Sequence, residues 1–522
     1  MAEKTDFILS LDVGTQSVRA VIFDFFGNIK AVYKQEIKPY YSVKPGWAEQ
    51  DPEYFWDNLA LACRKLFSEI NFPKSAIKSV TLTTQRGTVV NSDNNGKPLR
   101  PAIIWLDQRQ TQTHKYPKGI VKASLRMINM KEAVVYAVKN AECNWLIQND
   151  IDIWEKTEKY LYLSGWLTYK LTGNFTDSVG NMVGYMPFDY KKQKWAAPGH
   201  RNRKMFPVEG DKLCKLVKPS EILGYITKKA SEKTGIPEGL TVYAAASDKA
   251  SEVLGSGVFS PNIACLSYGT TATVQTTHKK YYEVIPFFPA YPGAVHDYFN
   301  TEIMIYRGFW MINWFKEEFG CKEIEIAEKN GLPAEQLFDD MIKDIPAGSM
   351  GLTLQPYWSP GVKIPGSEAK GAIIGFGDVH TRAHIYKAIL EGLAYSLKDG
   401  LERTEKRTKI KTEKVIVSGG GSQSEQAMQM TADIFNLPVE RPHTYETSAL
   451  GAAVNAAVGM KIYNSYEDAV KNMCRTGKTY TPDKNNMKIY DELYNKIYKK
   501  MYGRLKKLYH NIRDITGYPE KI

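Results

Sequence analysis

Asp248 stands where a side chain can do chemistry. Residues 239–246 are small and strand-forming, and they lead directly into Ser247-Asp248-Lys249, where a helix begins over 250–254. Ser247 can cap that helix. A carboxylate in such a place can take the proton of a hydroxyl as the hydroxyl attacks a phosphorus, a contribution of about 10²–10⁴-fold in rate. A lone Asp is more often a cap or an ion-pair partner, here of Lys249. Chemistry is favoured because the small residues before it leave the acid exposed.

Phosphate-binding groups are present twice. Phe7, Ile8, Leu9 and Leu11 form a short β-prone run that ends in Asp12-Val13-Gly14-Thr15-Gln16-Ser17. Gly14 permits a turn that a Cβ would obstruct. Thr15, Gln16 and Ser17, with the turn's N–H groups, can grip phosphate oxygens. Asp12 can hold Mg²⁺ directly or through water, and Arg19 can add positive charge at the transferred group. Residues 263–274 repeat the pattern: Ser267-Tyr268-Gly269-Thr270-Thr271 lies over Asp12-Val13-Gly14-Thr15. Two such turns, facing one another, would clamp a polyphosphate. Ser418-Gly419-Gly420-Gly421-Ser422, at the end of a strand over 414–417, would let the flat nucleoside end approach the backbone.

A third group of residues suits a sugar. The strand over 79–84 ends in Gln85-Arg86-Gly87, where open α/β sheets bind ligands. Trp105-Leu106-Asp107-Gln108-Arg109 offers an aromatic plate followed by an acid and an arginine. A buried Trp beside a structural Asp–Arg pair fits the same residues.

These residues need positioning elements. Strands are expected over 18–25 and 29–37, joined by a hairpin turn, and a helix from Pro52 to Ile70. Residues 120–172 read as mostly helical, with one helix over 160–171, and 195–215 as polar surface. A long helix is expected over 380–406 and an alanine-rich one over 447–458. Over 486–512, Ile489, Leu493, Ile497, Met501, Leu505 and Leu508 recur at helical spacing with lysines opposite, giving an amphipathic helix docked on a domain. The expected division is 1–258, 259–480 and a helical tail, 481–522.

At 522 residues, two domains are the prior. No apolar run reaches the length of a membrane span, and the first residues lack the apolar core of a secretory signal. Six scattered cysteines without a CxxC pair suit a reducing cytosol, so a cytoplasmic location is expected. The net charge of +12 is spread along the chain. It reads as a lysine-rich surface that draws in an anionic nucleotide, not as a nucleic-acid footprint.

DVGTQSVRAVIFD, WLDQR, Ser247-Asp248, YGTT, SGGGS and ALGAA occur in this order from Phe7 to Val458. Together they resemble the FGGY carbohydrate kinases, which include glycerol kinase, xylulokinase and ribulokinase. The segments 371–375 and 384–391 look like the family's second signature, although Phe376 replaces its usual aliphatic residue. Trp145-Leu146-Ile147-Gln148-Asn149 fits an earlier one, but Glu142 stands where a lysine is usual. The resemblance implies an α/β fold of two ribonuclease-H-like domains of the actin and sugar-kinase type around a central cleft. It implies ATP and Mg²⁺ as cofactors, a small sugar or polyol as acceptor, no nucleic-acid or membrane partner, and compatibility with a homodimer. By motif match, Asp248 is the base, Asp12 and Asp248 are the Mg²⁺-side acids, and Gly14, Thr15, Gln16, Ser17, Arg19, Gly269, Thr270 and Thr271 lie on the phosphate side. Gly420, Gly421, Ser422 and Ser424 lie beside the adenosine, and Gln85, Arg86, Trp105 and Lys249 line the sugar. Gly87 replaces the acid that glycerol kinases carry, which disfavours glycerol. Lys249 replaces the usual Gln or Asn and can select an acidic substrate, or instead pair with Glu252. A nucleotide clamp without kinase chemistry, like actin or the heat-shock ATPases, is the remaining alternative.

Overall fold

The computed structural model describes residues 6–112, 117, 119, 127, 130–332, 334–359, 361 and 365–518. The chain forms two compact units. The first comprises Met1–Phe259, Thr277–Asn300 and Glu446–Arg475, and the second Ser260–Thr276, Thr301–Tyr445 and Thr476–Ile522. The expected cut at residue 258 therefore meets two exceptions: residues 277–300 and the helix Thr447–Gly459 fold with the first unit.

The first unit is built on a six-stranded sheet in the order Ile222–Tyr225, Thr241–Ala244, Ile77–Thr84, Phe7–Val13, Ser17–Asp24, Ile29–Glu36. Phe7–Val13, Ser17–Asp24 and Ile29–Glu36 form an antiparallel meander, while Ile77–Thr84 and Thr241–Ala244 run parallel to Phe7–Val13. Phe7–Val13 is buried at every residue, as expected for a central strand covered on both faces. Helix Pro52–Glu69 opens with an Asp51 cap and Pro52 in its first turn, and buries Phe55, Leu59, Ala62 and Leu66.

The second unit repeats this plan. Its sheet has seven strands, six of which run in the order Phe299–Ile305, Ala272–His278, Ile263–Tyr268, Lys414–Ser418, Val439–Pro442, Thr476–Tyr480. Again the central strand, Ile263–Tyr268, has an antiparallel neighbour in Ala272–His278, the next two strands run parallel to it, and antiparallel Thr476–Tyr480 closes the edge. The repeat seen in the two glycine turns is thus a repeat of whole sheets. The long helix is Arg382–Thr408.

Three local expectations are corrected. Residues 159–162 are a strand, Lys159–Tyr162, paired with Val89–Ser92, and the helix starts only at Leu163. Aromatic residues at alternate positions fit a pleated half-buried surface, and that pairing overrides the helical spacing. Residues 195–215 are less superficial than read: Phe206, Val208, Leu213 and Cys214 are buried.

The tail is helical over Lys484–Leu493, a π turn Tyr494–Tyr498 and Lys499–Thr516, but it docks by another face. Tyr490, Tyr494, Tyr498, Met501 and Tyr509 are buried, while Ile489, Ile497 and Leu508 are 44%, 39% and 53% exposed. Tyrosine covers more apolar area than isoleucine and carries a polar tip that finds partners. Here the tips of Tyr490 and Tyr509 reach Glu391 at 2.9 Å and Gln355 at 3.0 Å.

Candidate active site

In the first unit, the candidate residues gather at the C-terminal ends of the parallel strands, where open α/β sheets place ligands. Helix Asp248–Gly255 starts immediately after the strand Thr241–Ala244. Its seat is a close crossing with helix Thr447–Gly459. A Cβ on Gly255 would lie 1.9 Å from the Thr447 carbonyl oxygen, and one on Gly451 1.9 Å from that of Ser251. Only glycine allows the two backbones to come so near, and Ser448 Oγ then donates to the Asp248 carbonyl at 3.2 Å.

Asp248 is partly buried, and its Oδ1 accepts the Lys249 amide at 2.8 Å. Burial raises its pKa above the usual carboxylate value, and the charges of Arg86 and Lys249 pull it back down. Lys249 itself pairs with buried Glu252 at 2.8 Å, so the second of its two expected roles is the one seen. Ser247 occupies the N-cap position without a cap hydrogen bond, and its Oγ is buried with no partner.

Asp12 ends the central strand opposite Arg19 in the hairpin register. Arg19 donates to Asp12 at 3.1 Å and lies 3.6 Å from Glu446. Its guanidinium is thereby engaged by protein carboxylates. Burial pushes the Asp12 carboxyl up to about 7 against the pull of Arg19, and the negative charges of Glu446 and Asp248 push the same way. No group of three or more metal-ligating side chains occurs among the described residues. One or two carboxylates with an excess of negative charge do suit Mg²⁺ carried on phosphates, since that ion keeps several waters.

In the turn itself, the Gly14 amide donates to Ser17 O at 3.0 Å, and a Cβ on Gly14 would come within 3.3 Å of that oxygen. Thr15 donates to Gln85 Oε1 at 3.1 Å and accepts from the Trp105 indole at 3.0 Å. Gln16 is exposed and Ser17 buried. The turn, Gln85 and Trp105 are therefore one connected surface. Gly87 has a φ of +66°, and Trp105 packs against it. Arg86 lies over the Tyr291 ring at 5.6 Å.

Asp107 and Arg109 are engaged within the protein. Asp107 accepts from Arg109 and from the Ala48 amide, and Arg109 also binds Glu49 at 2.9 Å, sandwiched between Trp47 and Trp145. They brace the loop before helix Pro52–Glu69. Glu142, at the start of helix Glu142–Asn149, is pushed up to about 8 by burial.

In the second unit, Gly269 and Thr270 lie at the turn between Ile263–Tyr268 and Ala272–His278. Their carbonyls accept from Phe309 and Gly308 at 3.0 and 2.9 Å. Thr270 is exposed and Thr271 half-buried. Gly419, at φ +85°, would place a Cβ 2.9 Å from Tyr268 O, so the glycine turn rests on the phosphate-type turn. Gly421 abuts the Phe309 ring, whereas a Cβ on Gly420 would meet nothing within 4 Å. Ser422 and Ser424 are engaged internally: Ser422 Oγ donates to Gly419 O, and Ser424 Oγ donates to Asp339 and caps helix Glu425–Phe435. They shape the turn and leave Gly420 as its open position.

A model of the N-terminal domain of the FGGY family of carbohydrate kinases matches residues 7–255, and one of the C-terminal domain matches 264–460. The chain belongs to the FGGY family of carbohydrate kinases. A glycerol kinase of Thermococcus onnurineus is 30% identical over 497 residues, covering 93% of this chain and 96% of that one. A protein of Escherichia coli K12 described as an uncharacterized sugar kinase is 29% identical over 93% of this chain and 91% of its own. The crystal structure of a xylulose kinase from Rhodospirillum rubrum shares the fold, with a TM-score of 0.81 at 23% identity over 97% of this chain and 100% of that one. As an FGGY kinase, the chain transfers a phosphoryl group from ATP to a hydroxyl of a sugar or polyol.

Proposed function

We propose that Asp248 is the general base of this transfer and that the acceptor is a ketose, pentulose or similar small polyol. The observation that carries the reading is the Asp248 carboxylate. It sits shortly after a parallel strand, at the start of a helix, within the electrostatic reach of Arg86 and Lys249. In the proposed step the acceptor oxygen attacks the γ-phosphorus as its proton passes to Asp248. The bond from that phosphorus to the β-phosphate oxygen breaks, and ADP leaves.

Gln85, Arg86 and Trp105 hold the acceptor so that one hydroxyl faces Asp248. Such positioning supplies more of the rate than proton transfer does. Taken by itself, the first unit offers phosphate oxygens the backbone N–H groups of its Gly14 turn; taken by itself, the second offers the exposed Thr270 hydroxyl to a phosphate and its open position at Gly420 to a flat nucleoside. Bound with the nucleotide, Mg²⁺ would neutralise charge on the phosphates, and Asp12 is the residue that would hold it. Gly87 argues against glycerol: at a φ of +66° an acidic side chain would be strained there.

ADP release measured against ketoses, polyols and sugar acids tests the reading. Turnover above water-driven ATP hydrolysis is expected for a ketose or polyol, and none with any acceptor would contradict it.

A further inference from the structure

Several polar atoms of the first unit are buried and unsatisfied. Gln85 Nε2, Thr88 Oγ1, Tyr162 Oη and Ser247 Oγ have no hydrogen-bond partner among the described residues. Native folds leave few such groups, and each costs about 1–3 kcal/mol when nothing answers it. Gln85 and Thr88 flank Gly87 in the chain and Tyr162 is brought beside it, and three such groups together point to a ligand that supplies hydroxyls.

Tyr162 is the one that sequence reading missed. It ends the strand Lys159–Tyr162 opposite Val89, and the next amide, Leu163, donates to Thr88 O at 2.9 Å. A Cβ built on Gly184 would stand 2.5 Å from the Tyr162 hydroxyl and 3.7 Å from Gly87 Cα, so hydroxyl and Gly87 flank one point. Gly184 has a φ of +139° and is strapped by Tyr190, whose hydroxyl donates to its carbonyl at 2.9 Å. The Tyr162 ring packs with Val89, Met182, Met186 and Tyr190. Phenylalanine would fill that space equally well, and the Tyr162 hydroxyl makes no hydrogen bond to the described residues. The Tyr162 hydroxyl is therefore not needed by the fold.

We propose that Tyr162 is a specificity-determining residue whose phenol hydroxyl, with Gln85 and Thr88, receives an acceptor hydroxyl other than the one phosphorylated. The inference rests on the polyol-kinase reading above and names a side chain that selects the polyol. A neutral phenol both donates and accepts, so it matches a substrate hydroxyl. The acceptor this site favours carries a hydroxyl at that position.

The test is ADP release by the wild type and Tyr162→Phe with D-xylulose, D-ribulose, D-arabinitol, glycerol and gluconate, then with monodeoxy analogues of the best acceptor. Tyr162→Phe is expected to lower kcat/KM for that acceptor about 10-fold, with an unchanged or higher thermal midpoint. For one monodeoxy analogue the wild type and the variant should perform alike, because the hydroxyl that Tyr162 receives is already gone. Equal kcat/KM for wild type and variant on the best acceptor, an equal loss on every analogue, or a midpoint lowered by several degrees would each overturn the proposal. A wild type that releases no ADP with any acceptor overturns the polyol-kinase reading and this inference with it. A wild type that turns over while Tyr162→Phe matches it overturns the inference alone.

Discussion

Lys249 places its ammonium 2.8 Å from Glu252 Oε2, one turn along the helix, while the carboxylate of neighbouring Asp248 is bound by an amide instead. The lysine's charge acts on the base. It helps hold the Asp248 carboxyl down against the effect of burial.

Replacing Lys249 by glutamine separates these effects. Without that charge the Asp248 carboxyl rises further, so a base that must be ionised is lost at higher pH. The acid limb of the kcat/KM profile should move upward. Buried Glu252 loses its partner, at a cost of about 1–3 kcal/mol in a denaturant titration. The ratio of activity on neutral and acidic sugars should stay the same; a shift towards neutral sugars would return Lys249 to the substrate.

The crossing of helices Asp248–Gly255 and Thr447–Gly459 sets where the base stands. In Gly451→Ala the new methyl meets Ser251 O, so the helices must part. Overpacking of this kind costs about 1–3 kcal/mol. A displacement of the base by ~1 Å can lower kcat on the order of 10²-fold. Gly503→Ala, on an exposed helical position with nothing near its Cβ, should instead gain about 0.5–1 kcal/mol with kcat unaltered. Melting curves and initial rates of both variants decide whether the close crossing matters.

The docked face of the tail is equally testable. Tyr494→Ala removes a fully buried ring and should cost about 3–5 kcal/mol. Leu508→Ala, on the outward face, should fall within about 0.5 kcal/mol of the parent. The opposite ranking in urea unfolding would restore the Ile/Leu face as the docked one.

Much of this architecture was legible locally. An apolar run ending in Asp12-Val13-Gly14-Thr15, echoed at Ser267–Thr270, announced two like sheets, because strand, glycine and hydroxyl lie within one short window. The small residues before Asp248 likewise marked the end of a strand. What escaped depends on distant partners. Arg19 is claimed by Glu446, more than four hundred positions away, and Tyr490 by Glu391. Asp107 and Arg109 were half read, since a buried ion pair and a sugar platform use the same residue types. Tyr162 was assigned to a helix because its strand partner, Val89, is over seventy residues earlier. Its position beside Gly87 follows only from that pairing.

Acceptor-dependent ADP release by Asp248→Asn tests the central claim most directly. The substitution keeps the side chain's size and an oxygen for the Lys249 amide, and removes the base. The expected result is a fall in kcat of about 10²–10⁴-fold with the best acceptor, with the thermal midpoint near that of the wild type. A kcat within a few-fold of the wild type, in a protein that melts normally, would contradict the assignment of Asp248 as the base.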